Sequence, residues 1–323
     1  MAKWRVLVTS EVVDKGSDGD RLLQAAGVET VFNRWHGNRT EDELIAILQG
    51  MDGVVAGLDP FTARVIGSSD RLKVIARTGV GYDAVDVPAA TERGIAVCSN
   101  PGVNKRSVAE YAMGLILACS RKLYENLSVV RAGGFERHQG VELSGRTLGI
   151  MGLGSIGKEV AKRASGFDMK ILAYDVYKDE AFAEKYGVTY VPLEQLLAQS
   201  DFVTLHLFLD STTRHLINAE RLSLMKPTAY LVNTARGGIV DQEALYQALK
   251  EKKIAGAALD VFENEPLEAD SPLRTLYNAY LSPHVAAWSW NVLHASGLMG
   301  AENVLRILRG EKPLSIVNPE VLG

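Results

Sequence analysis

Short apolar runs alternate with amphipathic stretches of helical spacing along the whole 323-residue chain. The runs are rich in Val, Ile and Leu and are apolar at successive positions, as in a parallel strand that helices cover on both faces. They include residues 4–9, 53–57, 72–76, 147–152, 170–175, 202–207, 229–234 and 255–262. This alternation predicts an α/β fold built on doubly wound parallel sheets.

The position of a glycine-rich turn predicts two domains. The string GLGSIG begins at Gly152, after several strand and helix patterns. A single dinucleotide-binding domain carries such a turn directly behind its first strand, so a different domain begins this chain. Two long helical patterns, residues 104–130 and 291–308, are the expected connectors. We expect one discontinuous domain of residues 1–100 and 287–323, and a central domain of residues 101–286.

Composition narrows the classes of partner. The chain has 35 Lys and Arg against 39 Asp and Glu, a net charge of −4 without a basic run, which argues against nucleic acid. Its longest apolar run, residues 111–119, is far shorter than the roughly 20 residues that cross a bilayer. The first ten residues also lack the apolar core of a signal peptide. We therefore expect a cytoplasmic protein that binds neither nucleic acid nor membrane.

Cysteine and histidine give no sign of a metal site or a disulfide framework. The two cysteines, Cys98 and Cys119, match no zinc or redox spacing and lie among small or apolar residues, which predicts packing. No pair of histidines has a metal-ligand spacing such as HExxH. We expect no metal.

The turn GLGSIG has the features of a dinucleotide-binding turn between a strand and a helix. Gly152 permits the tight turn, Gly154 lets a pyrophosphate approach the backbone, and Gly157 allows close packing of helix on strand. The helix begins near Ser155, so its positive end faces the phosphates. Asp175 follows 18 residues after Gly157, at the end of the next strand, where a carboxylate grips a ribose diol.

The residues around Asp175 favour NAD over NADP. A carboxylate at this position repels a 2′-phosphate, and the next two residues, Val176 and Tyr177, offer no cation to meet one. Lys178 is the one nearby cation that could favour NADP.

Three strings at predicted strand ends carry groups suited to hydride transfer on a 2-oxo acid. NTARGGIVD supplies Arg236, LDVFENEP supplies Glu265, and LSPHVAAW supplies His284. Taken singly, these residues are also consistent with a structural ion pair, a solvated loop charge and a hydrogen-bonded loop histidine. Together they predict that Arg236 orients and polarises the substrate, that His284 gives or takes the hydroxyl proton, and that Glu265 favours the protonated imidazole.

With these motifs in this order, the chain resembles the D-isomer-specific 2-hydroxyacid dehydrogenase family over nearly its whole length. The resemblance implies a homodimer of two Rossmann-like lobes, a discontinuous substrate lobe and a central NAD lobe, with the active site in the cleft between them. The helix that begins near Asn104 would be the main dimer element. The motifs that carry the resemblance are TGVGYDAVD (78–86), NPGVNKRSVAEYAMGL (100–115), ELSGRTLGIMGLGSIGKEVA (142–161), NTARGGIVD (233–241), LDVFENEP (259–266), LSPHVAA (281–287) and VNPE (317–320).

The resemblance also implies a role for each matching position. Arg236, Glu265 and His284 match the catalytic residues, and Asp175 matches the ribose ligand. The remaining positions would bind cofactor or substrate: Asp260 holds the nicotinamide carboxamide, Ser155 and Ile156 offer N–H groups to the pyrophosphate, His206 and Thr234 line the nucleotide cleft, Val80 and Gly81 cradle the substrate carboxylate, and Asn104 faces the cleft.

Substrate identity divides the family's members. Phosphoglycerate dehydrogenases carry an Arg after the strand that here reads GVVAG, whereas this chain has Gly57 there, followed by Asp59, a carboxylate expected to repel a phosphate. Arg77, Lys105 and Arg137 keep 3-phosphoglycerate dehydrogenase open as an alternative. The sequence ends at Gly323, so we expect no serine-feedback domain of the kind longer phosphoglycerate enzymes carry.

Other readings of the same sequence stay open. Trp288 and Trp290, just beyond His284, would either form an apolar wall that suits a small unphosphorylated 2-oxo acid or pack where the lobes cross. An NAD-sensing interaction protein that resembles this family is an alternative from a different class. Formate or phosphite dehydrogenase is a third, although formate dehydrogenases of this appearance replace the residue that matches Glu265.

Overall fold

The computed structural model describes residues 4–34 and 39–323, which fold into two compact units. The first comprises Met1–Asn104 and Trp288–Gly323, and the second comprises Lys105–Ala287. The chain therefore passes between the units after Asn104 and again after Ala287. Each unit is an α/β layer structure with its own parallel sheet, so the predicted fold class is confirmed.

The first unit is built on five parallel strands, β1 (Trp4–Val8), β2 (Val28–Phe32), β3 (Gly53–Ala56), β4 (Val74–Arg77) and β5 (Ala96–Cys98), in the order β2-β1-β3-β4-β5. Apolar clusters fill both faces of this sheet, because neighbouring residues of one strand point to opposite sides. The helices of this unit are α1 (Asp18–Ala25), α2 (Glu41–Leu48), α3 (Ala63–Gly67), α4 (Val87–Glu92) and α12 (Trp290–Arg309).

The second unit has a seven-stranded parallel sheet. Its strands are β6 (Thr147–Met151), β7 (Lys170–Tyr174), β8 (Val188–Tyr190), β9 (Phe202–Leu205), β10 (Tyr230–Asn233), β11 (Gly256–Leu259) and β12 (Ala279–Leu281), in the order β12-β11-β10-β9-β6-β7-β8. Two apolar clusters again cover the two faces. The helices are α5 (Lys105–Arg121), α6 (Leu123–Arg131), α7 (Ser155–Ser165), α8 (Glu180–Tyr186), α9 (Leu193–Gln199), α10 (Ala219–Leu224) and α11 (Gln242–Lys250).

The single long helix predicted over residues 104–130 is wrong in one respect, because the chain breaks it at Lys122. That residue has a left-handed backbone, φ 53°, which an α-helix cannot continue through. Its ammonium group lies 5.2 Å from the centre of the Tyr230 ring and 3.2 Å from a carboxylate oxygen of Glu125. These contacts hold Lys122 against the sheet and turn α6 away from α5, and α6 has no buried residue.

Both cysteines are free and buried, in agreement with the packing role predicted for them. Burial raises the pKa of Cys98 and of Cys119 to about 12. Within residues 4–34 and 39–323, no helix is both long enough and apolar enough to span a membrane.

Candidate active site

The predicted cofactor residues of the second unit lie at one edge of its sheet. Gly152, Asp175, His206, Thr234 and Asp260 each come directly after a strand, namely β6, β7, β9, β10 and β11. All seven strands are parallel, so their carboxyl ends meet at this edge. Open α/β sheets bind their ligands there.

The glycine turn has the close approaches expected of a phosphate-binding turn. Gly152 has a φ of 92°, and a Cβ on it would lie 2.6 Å from the His206 carbonyl oxygen. A Cβ on Gly157 would overlap the Gly152 carbonyl oxygen, so α7 packs directly on the turn. Gly154 caps α7 without a side-chain hydrogen bond, and a Cβ on it would meet no described atom within 4 Å. The N–H groups of Ser155 and Ile156, in the first turn of α7, are thus available to an anion.

The Asp175 carboxylate is fixed by two backbone N–H groups. One oxygen accepts from Leu153 at 2.6 Å, and the other accepts from Tyr177 at 2.9 Å. Each oxygen keeps a further lone pair for a ribose hydroxyl. The Lys178 ammonium lies 5.6 Å from the centre of the Tyr190 ring. The arrangement suits a ribose diol, whereas the fixed negative charge of Asp175 would repel a 2′-phosphate.

His206 and Thr234 follow neighbouring strands and each has an unsatisfied buried polar atom. The Nε2 atom of His206 lies 3.0 Å from the Thr204 hydroxyl. Within the described residues, neither His206 Nδ1 nor the Thr234 hydroxyl has a hydrogen-bond partner. Burial lowers the pKa of His206 to about 3, so this imidazole is neutral near pH 7 and is no candidate for the acid. Two such atoms at the ends of neighbouring strands are unusual in a native interior and suit a bound water or ligand.

His284 and Glu265 form a hydrogen-bonded pair. The Nδ1 atom of His284 lies 2.7 Å from a Glu265 carboxylate oxygen, and the other oxygen accepts from the Phe262 N–H at 3.0 Å. Burial raises the pKa of the Glu265 carboxyl, but His284, the Phe262 N–H and the charge of Arg236 outweigh it and hold that pKa below its ordinary value. Glu265 is therefore an anion that orients the imidazole through Nδ1, and Nε2 takes no part in this pair.

The backbone of His284 is held in an unusual conformation by Asp260. His284 has a φ of 54°, and its N–H donates to the Asp260 carbonyl oxygen at 2.8 Å. The Asp260 carboxylate is fully buried and accepts from Ser282 Oγ at 2.6 Å, the Val285 N–H at 2.9 Å and the Ala286 N–H at 2.7 Å. Sequence reasoning missed this role, which makes Asp260 the residue that shapes the loop of residues 282–286.

Arg236 lies on a loop that packs against the segment carrying Glu265. A Cβ on the next residue, Gly237, would overlap the Phe262 carbonyl carbon, so the two backbones touch. The Arg236 carbonyl oxygen accepts from the Asn233 amide at 2.9 Å, and its guanidinium donates to the Ala235 carbonyl oxygen at 2.8 Å. The three residues predicted to be catalytic are thus brought together within the second unit.

A second histidine–carboxylate pair stabilises the same segment. His215 Nε2 lies 2.6 Å from a Glu263 carboxylate oxygen, and the His215 N–H donates to the Gly238 carbonyl oxygen at 2.8 Å. The pair joins the loop after β9 to the loops of Arg236 and Glu265. The sequence gives a partial signal, since Glu263 stands in the LDVFENEP string, but His215 has no motif of its own.

The predicted substrate residues Val80 and Gly81 lie in the first unit, in the loop that follows β4, and are half-buried. Asn104, also half-buried, is the last residue of this unit before α5. Trp288 and Trp290 are 50% and 76% exposed, so neither packs into the core of the first unit. The Trp290 ring stacks on His294, with the ring centres 5.4 Å apart.

Asp59 corrects one expectation from the sequence. Its carboxylate was expected to repel a phosphate, but the side chain is fully buried and ion-paired with Arg39, itself almost fully buried. Because its charge is compensated within the first unit, Asp59 is no argument against a phosphorylated substrate.

Comparisons with known proteins agree with this geometry. The family model described as "D-isomer specific 2-hydroxyacid dehydrogenase, NAD binding domain" matches residues 113–286. The chain is 43% identical to a glyoxylate reductase from Korarchaeum cryptofilum, over 99% of this chain and 97% of that protein. It is 42% identical to a D-3-phosphoglycerate dehydrogenase from Methanocaldococcus jannaschii, over 97% of this chain but 59% of that protein. The solved structure of the TT0316 protein from Thermus thermophilus is similar, with a TM-score of 0.89 and 36% identity over 97% of this chain and 99% of that one.

Proposed function

The chain belongs to the D-isomer-specific 2-hydroxyacid dehydrogenase family, and from that premise we propose that it reduces a small, unphosphorylated 2-oxo acid with NADH. Interconversion of 2-oxo and D-2-hydroxy acids with a nicotinamide cofactor is the activity of this enzyme. The substrate, the choice of NAD and the role of each residue are our proposals. The observation that carries them is the hydrogen-bonded pair of His284 and Glu265 beside the Arg236 loop.

When bound, the nicotinamide would supply the hydride for reduction and would accept it in the reverse direction. The side chains of the protein transfer the proton and stabilise the charges of the substrate. His284 Nε2 donates a proton to the carbonyl oxygen as the hydride reaches carbon 2, and it removes that proton in the oxidation. Glu265 stabilises the imidazolium through Nδ1. Arg236 binds the carboxylate and the carbonyl oxygen with its planar fork.

Cofactor binding is assigned to the strand ends of the second unit. Gly152, Gly154 and Gly157, with the N–H groups of Ser155 and Ile156, would hold the pyrophosphate, and Asp175 would hold the ribose diol of NAD. The unsatisfied atoms of His206 and Thr234 support their place beside the nucleotide. Asp260 would bind the nicotinamide carboxamide only through a carboxylate lone pair that its three loop hydrogen bonds do not use.

We propose Val80, Gly81 and Asn104 as further substrate-binding residues, in addition to Arg236 and His284. The backbone of Val80 and Gly81 would receive the substrate carboxylate, and Asn104 would add a polar contact. The residue after β3 is Gly57, so no Arg from that position reaches a phosphate. The buried pair of Asp59 and Arg39 removes the expected repulsion, which keeps 3-phosphoglycerate dehydrogenase as the second candidate.

We also propose a homodimer formed through α5 and α6. One stripe of α6 exposes Leu123, Tyr124, Leu127 and Val130, each between 45% and 66% accessible. An apolar stripe of this kind on a helix without any buried residue calls for a partner surface. A second copy of the chain satisfies it by placing two such stripes face to face.

The test is oxidation of NADH, with NADPH in parallel, across glyoxylate, hydroxypyruvate, 3-phosphohydroxypyruvate, pyruvate and 2-oxoisocaproate. We expect turnover of glyoxylate or hydroxypyruvate with NADH, and a clear preference over NADPH. Selective turnover of 3-phosphohydroxypyruvate would replace the proposal with the second candidate. Tight NADH binding without turnover of any acid would favour a cofactor-sensing interaction protein.

A further inference from the structure

Arg77 is the last residue of β4 and is only 4% exposed. Arginine is seldom so buried unless its guanidinium is bonded. Here Nε donates to the Gly81 carbonyl oxygen at 3.2 Å, and Nη1 donates to the Ala56 carbonyl oxygen at 3.3 Å. Nη2 lies 3.9 Å from the point where a Cβ on Gly79 would stand. The side chain thus lies along the loop of residues 78–81 and ties Gly81 to the end of β3.

We propose that Arg77 is a positioning residue for substrate recognition, because its buried guanidinium fixes the loop of residues 78–81 in the conformation that binds a carboxylate. The inference rests on the proposed function, which assigns the substrate carboxylate to this loop. Arg77 acts through the backbone of the loop and does not touch the substrate.

The peptide geometry shows what the guanidinium controls. In a planar trans peptide, the carbonyl of one residue and the N–H of the next point in opposite directions. The Gly79 carbonyl oxygen accepts from the Asn100 N–H at 3.0 Å, so the Val80 N–H points away from Asn100. The Gly81 carbonyl oxygen accepts from Arg77, so the Tyr82 N–H points away from the guanidinium. Asn100 therefore orients the peptide between Gly79 and Val80, and Arg77 orients the peptide between Gly81 and Tyr82.

The start of the loop is also held by hydrogen bonds that Thr78 itself makes. The Thr78 N–H donates to the Ala56 carbonyl oxygen at 3.2 Å, and the Thr78 hydroxyl lies 2.7 Å from that of Ser10. Because these bonds remain when Arg77 is changed, such a substitution should alter the Gly81 end of the loop and leave β4 in place.

The buried Asp59 carboxylate also interacts with Arg77 electrostatically. Asp59 is fully buried and paired with Arg39. Burial raises the pKa of the Asp59 carboxyl, while the Thr9 hydroxyl and the charges of Arg39 and Arg77 oppose that rise. Arg77 is thus within electrostatic reach of a carboxylate shielded from solvent, where charges are weakly screened. This attraction favours the buried position of its guanidinium.

The test compares Arg77→Met and Arg77→Lys with the wild-type enzyme, and uses Arg71→Met as the control. Arg71 also lies in the first unit, but it pairs with Asp52, a residue that takes no part in the loop contacts described above. We would measure KM and kcat for the preferred 2-oxo acid, KM for NADH, and inhibition by oxalate. Thermal melting would check folding of every variant.

We expect Arg77→Met to raise the KM for the oxo acid and the inhibition constant of oxalate on the order of tenfold, as for one lost binding interaction. The KM for NADH should stay within about twofold, a split that general destabilisation would not produce. Arg77→Lys keeps the charge but cannot bond Gly81 and Ala56 together, so it should give intermediate values. Arg71→Met should leave all constants unchanged.

Wild-type values of KM and of oxalate inhibition in folded Arg77→Met would overturn the inference while leaving the proposed function intact. If Arg77→Met does not fold, wild-type constants for Arg77→Lys would overturn it equally. A wild-type enzyme that turns over no 2-oxo acid contradicts the proposed function itself. Oxalate binding by calorimetry then decides on Arg77, because absent or Arg77-independent binding excludes its role.

Discussion

At His284 a left-handed backbone is combined with a side chain that must point in one direction. A residue with a Cβ pays roughly 1–2 kcal/mol for that conformation. The cost is met locally, because the N–H bonds the Asp260 carbonyl oxygen and the buried Asp260 carboxylate takes the N–H groups that follow. Strain that is over-determined by neighbours in this way is typical of functional positions. The imidazole is therefore placed by the loop and oriented by Glu265.

Replacing His284 with Ala should lower turnover by roughly 10²–10⁴-fold, because the reaction loses its proton donor. NADH binding, followed by fluorescence titration, should change little. The control is His294→Ala, which removes another histidine paired with a carboxylate, Asp18 at 3.6 Å in the first unit. Unchanged turnover in His284→Ala would assign the proton to a different group.

Replacing Glu265 with Gln should shift the alkaline limb of the rate–pH profile for reduction to lower pH, since the imidazolium loses its anionic partner. The sign follows from the wild-type contacts, which hold the pKa of Glu265 below its ordinary value. The carboxylate is then ionised at every pH above that lowered pKa, and its support is lost only on strong acidification. A profile identical to that of the wild type would show that Glu265 does not act on His284.

At the scale of single elements, the sequence predicts what the hydrophobic period determines and misses what single contacts determine. The eight predicted strands all occur, since their apolar runs are largely buried, with β7 the most exposed of them. Strands β2, β8 and β12 are only partly buried, and β5 has three residues, so none of them has the long apolar run that marks the other strands. The break at Lys122 depends on Tyr230, more than a hundred residues away, and no local pattern announces it.

The same division applies to the candidate site. The glycine turn and Asp175 are predicted from spacing, because their chemistry follows from adjacent residues. The burial of Asp59 depends on Arg39, and the loop-shaping role of Asp260 depends on a hydrogen-bond pattern that spans 26 residues. Sequence spacing has no access to such contacts. Their effect is to change the role of a carboxylate rather than its position.

Gly237 offers a test at the level of the loop. Replacing it with Ala would place a Cβ against the backbone of Phe262 and Glu263, and backbone atoms cannot move aside as a flexible side chain can. We expect a loss of about 1–3 kcal/mol of stability and about 10²-fold in turnover, because the Arg236 and Glu265 segments are pushed apart. Melting and steady-state kinetics measure both.

The control is Gly67→Ala at the end of α3, where a Cβ meets nothing within 4 Å. That substitution should change neither stability nor turnover appreciably. Wild-type behaviour of Gly237→Ala would mean that the two segments are free to separate without consequence for the reaction.

At the scale of the whole molecule, each unit has a sheet with an apolar cluster on both faces, and none of these four clusters includes the apolar stripe of α6. Replacing Leu127 with Asp should weaken the proposed dimer and lower the mass found by analytical ultracentrifugation towards that of one chain, 35.1 kDa. Tyr277→Asp is the control, since Tyr277 is 68% exposed and Leu127 is 62% exposed. A wild-type protein that sediments as one chain would contradict the dimer directly.

The hydrogen bonds of Asp260 to the loop of residues 282–286 determine how much of this protein must be transferred to reproduce the proposed active site elsewhere. A designer who grafts Arg236, Glu265 and His284 onto another scaffold would transfer three side chains and leave behind the carboxylate that bends the backbone beneath one of them. On the new scaffold the backbone of His284 would return to a negative φ, and its imidazole would no longer point in the same direction. The unit to transfer is therefore the end of strand β11 together with the loops that carry Arg236, Glu265 and His284. Natural substitutions in this enzyme should be tolerated more easily around that unit than within it.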